Sequence, residues 1–337
     1  MFVELTISSF IIIYNLTDFW YYLQIEWFYK CKGEWMIGVV KYERSFVYRC
    51  LFPLMAVLAG WALAKRRVAR AAGWHPPRTN SIFFDGLGPV CRSIKEGAKS
   101  WRALHLIYNY DFPPPRRLGN ALDNLWLMSP NAQGVRNRHK VASRETLSAI
   151  LALPITEEVR ILSLASGSAE SVMGAIDSAR TLGYRIRCVL VDVDPTAHEY
   201  VRMEAMRRGL SDVIETKQMS ITVPRLAELM ENFRPQIVEM MGLLDYLQDK
   251  KAVSLFRTIR QRLPTNGRFL TCNIMPNPEQ TFLENVLNWD MIYRTPENVL
   301  LLFQLSGFEN VRPLVEPMRI HVVVVGTVLF AATKEAA

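Results

Sequence analysis

From Pro154 onward the chain alternates short apolar, β-branched runs with stretches of helical pattern, and few architectures accept that rhythm. The runs are "VRILSLA" (159–165), "RIRCVLVDV" (185–193), "QIVEMMG" (236–242), "RFLTCNI" (268–274) and "RIHVVVVGTVLFAA" (319–332). Helical pattern fills 170–182 and 196–208 between them. Apolar strands separated by helices are covered on both faces, so the spacing predicts an α/β fold built on a mostly parallel sheet. Upstream, Pro76-Pro77, Gly86, Gly88-Pro89 and Pro113 to Pro115 punctuate residues 71–118, which read as linker and short helices. Ser129 or Asn131 then opens a helix that reaches Leu151. No internal repeat or low-complexity segment is apparent.

A 337-residue chain exceeds what one such sheet needs, and with 50% hydrophobic against 21% charged residues it has apolar sequence to spare. Residues 46–64, "FVYRCLFPLMAVLAGWALA", approach the ~20 residues that cross a bilayer. "KRRVAR" follows directly, and the positive-inside rule would hold it, and the domain after it, in the cytoplasm. The expectation is a membrane helix carrying a cytoplasmic catalytic domain, or otherwise a cytoplasmic protein. Three alternatives stand beside it: a second span over 5–23 despite Asp18, a helical arm that packs on the protein, and a signal sequence cleaved after Ala62-Leu63-Ala64. The chain thus divides into a hydrophobic region (1–70), a basic helical linker or cap (71–150) and a catalytic domain (151–337).

Charge is uneven. Residues 65–145 hold 15 Lys and Arg against 5 Asp and Glu, which accounts for the whole net charge of +8. Such a collar suits anionic lipid, nucleic acid or an acidic small molecule, and equally a plain solvated surface. The five cysteines and five histidines are dispersed with no metal-ligand spacing, so no metal site is expected.

The chemistry concentrates where "ILSLASGSAESV" (161–172) leaves the first strand. Small side chains at this turn let a ligand approach the backbone, and the next helix offers its unpaired N–H groups. Asp192 ends the next strand, 25 residues after Gly167. That is a suitable distance for a carboxylate accepting hydrogen bonds from both ribose hydroxyls. The GxGxxG pattern of nicotinamide dehydrogenases is missing.

The ordered set "ILSLASGSAES", "VLVDVDP", "IVEMMGLLDYL", "LPTNGRFLTCNI" and "GFENVRPLVEPMRIHVVVVGT" resembles the class I S-adenosylmethionine-dependent methyltransferases over about residues 130–332. The resemblance implies a Rossmann-like methyltransferase fold, a mostly parallel seven-stranded sheet closed by a C-terminal antiparallel hairpin, with S-adenosylmethionine as cofactor. It places the cofactor loop on Ala165, Ser166, Gly167, Ser168 and Ala169, and the ribose acid on Asp192 with Val193 beside it. Two departures stand out: one glycine survives in the loop, and Ser163 occupies the position of the acid that opens the family motif. Glu170 is the candidate replacement carboxylate. In "EMMGLLDYL" (239–247), Glu239, Met240, Gly242, Asp245 and Tyr246 fall beside the reactive methyl group, with Met240, Gly242 and Asp245 counted as cofactor contacts. No acid after the third strand, near Gln218 and Met219, matches the family's adenine contact.

Tyr293 and Arg294, in "WDMIYR", are the candidates for orienting the acceptor, because a guanidinium grips a carboxylate through two parallel hydrogen bonds. Tyr108, Asn109, Arg136 and Arg138 are candidates for a lid. The segments "GLLDYLQD" and "NVLNWDMIYRTPENV" look similar to bacterial methyltransferases linked to hydroxy-fatty-acid methyl esters. The implied reaction is methyl transfer to an oxygen or carboxylate of a small-molecule or lipid-like acceptor. The alternatives are an RNA-directed methyltransferase and a cofactor-binding membrane protein without catalysis.

Overall fold

The computed structural model of the chain describes residues 48–74 and 83–330. Its frame is a seven-stranded sheet in the order β3-β2-β1-β4-β5-β7-β6. The strands are β1 (Glu158–Leu164), β2 (Arg185–Asp192), β3 (Ile214–Gln218), β4 (Ile237–Met240), β5 (Arg268–Ile274), β6 (Asn310–Val315) and β7 (His321–Thr327). β1 to β5 run parallel, and β7 lies antiparallel between β5 and β6. The expected α/β architecture with its reversed C-terminal hairpin is the one found.

The helices are α1 (Tyr48–Ala71), α2 (Pro89–Glu96), α3 (Trp101–Tyr108), α4 (Leu118–Leu127), α5 (Pro130–Leu151), α6 (Glu170–Thr181), α7 (Pro195–Arg208), α8 (Val223–Phe233), α9 (Asp249–Arg262), α10 (Gln280–Asn285) and α11 (Pro296–Leu305). Successive side chains of a strand point to opposite faces, so the central strands feed two cores. Leu162, Leu164, Val189, Val238 and Phe269 face one side, against Leu226, Phe256 and Phe303. Ile161, Cys188, Leu190 and Leu270 face the other, against Ile150, Met173, Ile176 and Val201. Helices therefore cover both faces, as unbroken apolar strands require.

β3, "IETKQ", is absent from the apolar runs because it is an edge strand. It pairs with β2 alone and leaves Glu215, Lys217 and Gln218 exposed, which discourages further pairing. α5 opens where expected: Ser129 caps it, its hydroxyl accepting from the Ala132 N–H at 3.4 Å, and Pro130 fills the first helical position. Among residues 83–118, where linker and short helices are expected, the chain forms a five-residue π turn (Phe83–Leu87) and two short helices. Asp123 of α4 fixes the first turn of α2, its buried carboxylate accepting from Cys91 N–H at 2.9 Å and Val90 N–H at 3.2 Å.

The membrane helix is not found. Among the described residues no helix is long and apolar enough to cross a membrane. The stretch expected to span, with Phe46 and Val47 outside the described residues, continues as α1 straight through the basic run to Ala71. Lys65, Arg66, Arg67 and Arg70 thus belong to the same helix as the apolar residues before them. One face of it is spent on protein: Ala59, Ala62 and Ala69 are buried. Arg66 donates to the Glu284 carbonyl at 2.6 Å and to Asn288 Oδ1 at 2.9 Å beside α10. A helix docked through small residues and a hydrogen-bonded arginine is the packed arm among the alternatives. Residues 5–23, the other candidate span, lie outside the described residues.

Candidate active site

The carboxyl ends of β2, β1 and β4 stand side by side, and the loops leaving them meet at one cleft. Beyond β1 the backbone turns left-handed three times, with φ of 51° at Ala165, 53° at Gly167 and 52° at Ala169. The glycine-rich conformation is therefore kept although two of its three left-handed positions carry alanine, each at a cost of about 1 kcal/mol. Gly167 is the tightest of the three, because a Cβ there would meet Trp101 Cβ at 3.0 Å and force a shift between the loop and α3. Ala165→Gly is expected to raise the unfolding free energy by about 1 kcal/mol in a denaturant titration, since glycine removes the steric penalty at positive φ.

Asp192 is held from both sides. Gly167 N–H donates to its Oδ2 at 2.8 Å and Asp194 N–H to its Oδ1 at 2.9 Å. Asp194 in turn caps α7, accepting from Thr196 N–H at 2.8 Å. The carboxylate is thus fixed at the mouth of the sheet, where two cavities meet. One, ≈ 370 Å³, runs from Asp192 past Glu239 and Asp245 to Trp289 and His321. The other, ≈ 400 Å³, is walled by Met219, Ile221, Leu243 and Leu255. Ala165, Asp192, Val193 and Leu243 line both.

Of the residues expected to hold a cofactor, Ala165, Ser166, Gly167, Ser168, Glu170, Asp192, Val193, Gly242 and Asp245 all line the first cavity. Ser166 brings a buried hydroxyl with no hydrogen-bond partner. Met240 does not line either cavity; its side chain points into the core, and its neighbour Met241 faces the cleft instead. Gly242 turns the chain there at φ 103°, a left-handed value that favours glycine.

Glu170 is engaged by the cap. It accepts from His105 Nδ1 at 2.6 Å and from Asn109 Nδ2 at 3.0 Å. Burial would raise its carboxyl, but these hydrogen bonds outweigh burial and hold it below its usual range. Tyr108 lines the cleft, accepts from Arg138 Nη2 at 2.6 Å, and stacks on His139 with ring centroids 4.6 Å apart. Arg136 faces away from the cleft, donating to the Leu127 carbonyl at 2.7 Å.

Tyr293 and Arg294 lie outside the lining of both cavities. The Tyr293 hydroxyl is buried without a hydrogen-bond partner. The Arg294 guanidinium is committed to the fold: it donates to the Leu244 and Leu247 carbonyls, to Asn273 Oδ1 at 2.8 Å and to Asp249 Oδ1 at 2.7 Å. It ties down the loop after β4 and has no donors left for an acceptor.

Burial dominates the titration of the inner cleft. It pushes Asp245 up to about 6, against the opposing pull of Arg138 and the Ile274 N–H that donates to its Oδ1 at 2.8 Å. It raises Glu239 and lowers His139 to about 4, so that imidazole is neutral near pH 7. The residues that sequence reasoning left out are mostly in the roof and far wall: Trp101, Leu104, Trp126, Asn131, Val135, His139, Met291 and His321. Asn131, Val135 and Arg138 share one face of α5 at helical spacing, the one signal that would have grouped them.

Comparison with solved structures agrees with this arrangement. A possible exported protein from Bordetella parapertussis aligns with TM-score 0.59 and 15% identity, over 86% of this chain and 100% of that one. The CurJ carbon methyltransferase aligns with TM-score 0.51 and 11% identity, over 85% of this chain and 92% of that one. The fold is the Rossmann-like fold of class I methyltransferases. No family model matches the sequence, and no curated protein matches it either. Trp101 of α3, Trp126 of α4 and Asn131 of α5 roof the first cavity, and β7 lies antiparallel between β5 and the edge strand β6.

Proposed function

We propose that the chain is an S-adenosylmethionine-dependent methyltransferase acting on a small, largely apolar acceptor. The observation that carries this reading is Asp192, oriented by two backbone amides at the junction of two cavities. A nucleoside fits there residue by residue: Asp192 would accept from the ribose hydroxyls, Met219, Ile221 and Leu255 would flank the adenine, and Ser166 would supply its unpartnered hydroxyl. Gly167 leaves the loop open to close approach, since any side chain there would close the gap to Trp101. When bound, S-adenosylmethionine supplies a methyl group already activated by its sulfonium.

The protein's own task is then alignment and exclusion of water. The acceptor half of the first cavity is walled by Leu104, Trp126, Leu283, Trp289 and Met291, a lining that favours a ring-bearing or lipid-like body. Asp245 faces this space and is ionised above about pH 6, so it is placed to take the proton of an acceptor hydroxyl. An RNA acceptor is less favoured. Arg66, Lys95, Arg136, Arg138 and Arg144 of the basic collar are engaged by hydrogen bonds or ion pairs within the fold.

Calorimetry with S-adenosylhomocysteine tests the reading directly. The full chain is expected to bind it with micromolar affinity, and Asp192→Asn to weaken binding by about 10- to 100-fold, the loss of a charged acceptor for two hydrogen bonds. Absence of heat with the unmodified chain would rule the cofactor out.

A further inference from the structure

The position of the acid that opens the family motif is Ser163 in this chain, yet a carboxylate is present beside it on the neighbouring strand. Ser163 of β1 is in register with Glu239 of β4. The Ser163 hydroxyl donates to Glu239 Oε2, and the Ser171 hydroxyl, from the first turn of α6, donates to Oε1 at 3.4 Å. Glu239 is 3% exposed and lines the first cavity. Its hydrogen-bond partners are two neutral hydroxyls, and Arg138 acts on it through its charge without a hydrogen bond, so the carboxylate is oriented but no cation is bonded to it. A buried carboxylate in that state calls for a cation.

Its place says which cation. β2, β1 and β4 are adjacent strands, so Asp192 and Glu239 flank the loop at 165–169 from either side, their Cα positions roughly 12 Å apart by two inter-strand spacings and a two-residue offset. That separation matches a nucleoside ligand whose sugar sits at one carboxylate and whose amino-acid tail reaches the other. Glu170, the other carboxylate near the loop, is occupied by His105 and Asn109.

We infer that Glu239, oriented by Ser163 and Ser171, binds the α-ammonium group of the cofactor, so that the recognition carboxylate stands on β4 and not on β1. The inference rests on the cofactor reading above. No bond is made or broken; the step is a charge-assisted hydrogen bond from ammonium to carboxylate.

The test pairs two ligands with three proteins, all full chain, by calorimetry. The ligands are S-adenosylhomocysteine and its desamino analogue, 4-(5′-adenosylthio)butanoate, which lacks only the amine. The unmodified chain should bind the analogue about 10-fold more weakly or worse. In Glu239→Gln that gap should close to within about 2-fold, because the amide cannot hold the ammonium as an ion pair, while Asp192→Asn should weaken both ligands and leave the gap intact. Equal affinity of the unmodified chain for the two ligands overturns the assignment, a measurement that stands even if Glu239→Gln does not fold. A gap that persists in Glu239→Gln overturns it as well. Failure of the unmodified chain to bind either ligand overturns the cofactor reading itself, and this assignment with it.

Discussion

Asp245→Asn is expected to lower turnover by about 10²-fold or more while making the protein more stable at pH 8. The two effects have one cause. Burial raises the Asp245 carboxyl from its usual value of 3.8 to about 6, so the folded chain disfavours the charged form. The groups that act on it are Arg138 of α5 and Arg294 beyond α10, which favour the charge, and the Ile274 N–H, which does the same. They only partly offset burial. Stability is therefore full below the ordinary carboxylate range and declines as pH rises through about 6. At pH 8 the wild type carries that cost, about 3 kcal/mol, and the asparagine variant does not. Asparagine keeps an oxygen for the Ile274 N–H, so the loop should hold its shape. With a hydroxyl acceptor, wild-type turnover should climb with pH to a plateau above about 6, and the variant should show neither the climb nor the rate. Denaturant melts at pH 5 and pH 8 beside a pH–rate profile check both halves. A variant less stable than wild type at pH 8 would contradict the account.

Arg294→Met should be the most damaging single change to the fold, lowering the unfolding free energy by about 3 kcal/mol in a urea titration. Methionine matches the aliphatic stem but deletes every donor. The carbonyls of Leu244 and Leu247 and the Asn273 side chain, which converge on this guanidinium, would be left without it. The Asp249 partner is largely exposed and contributes little by itself, so the loss is mainly of hydrogen bonds to backbone. The loop carrying Asp245 is what these bonds anchor. Cofactor affinity and stability should therefore fall together, whereas Asp192→Asn, which still accepts from one of its two backbone amides, should lower affinity more than stability. Tyr293→Phe, by contrast, removes a hydroxyl that has no partner and should be close to neutral or mildly stabilising.

The sequence discloses the sheet because its central strands are buried on both faces and so lack polar alternation; "VRILSLA" and "RFLTCNI" can be little else. It conceals β3 because an edge strand is polar by necessity. It discloses Asp192, whose place at a strand end follows from spacing along a single β-α-β unit. Arg294 reads equally well as a substrate clamp or a structural one, since the choice depends on the Leu244 and Leu247 carbonyls, which a linear reading cannot place beside it. Met240 and Met241 illustrate a smaller version of the same limit: which of two neighbours faces the cleft is a matter of strand phase. The apolar stretch at 46–64 misleads for a physical reason too. Alanines raise hydrophobic content without adding much apolar surface, and the buried Ala59 and Ala62 suit a helix that lies close against protein.

The close approach of Trp101 to Gly167 bears on what can reach the cleft from the α3 side. The indole is hydrogen-bonded to Thr196 Oγ1 at 3.2 Å and rests on Tyr200, while His105, one turn along, grips Glu170. The α3 side of the cleft is thereby covered by the fold itself, which keeps bulk water from the inner carboxylates on that side.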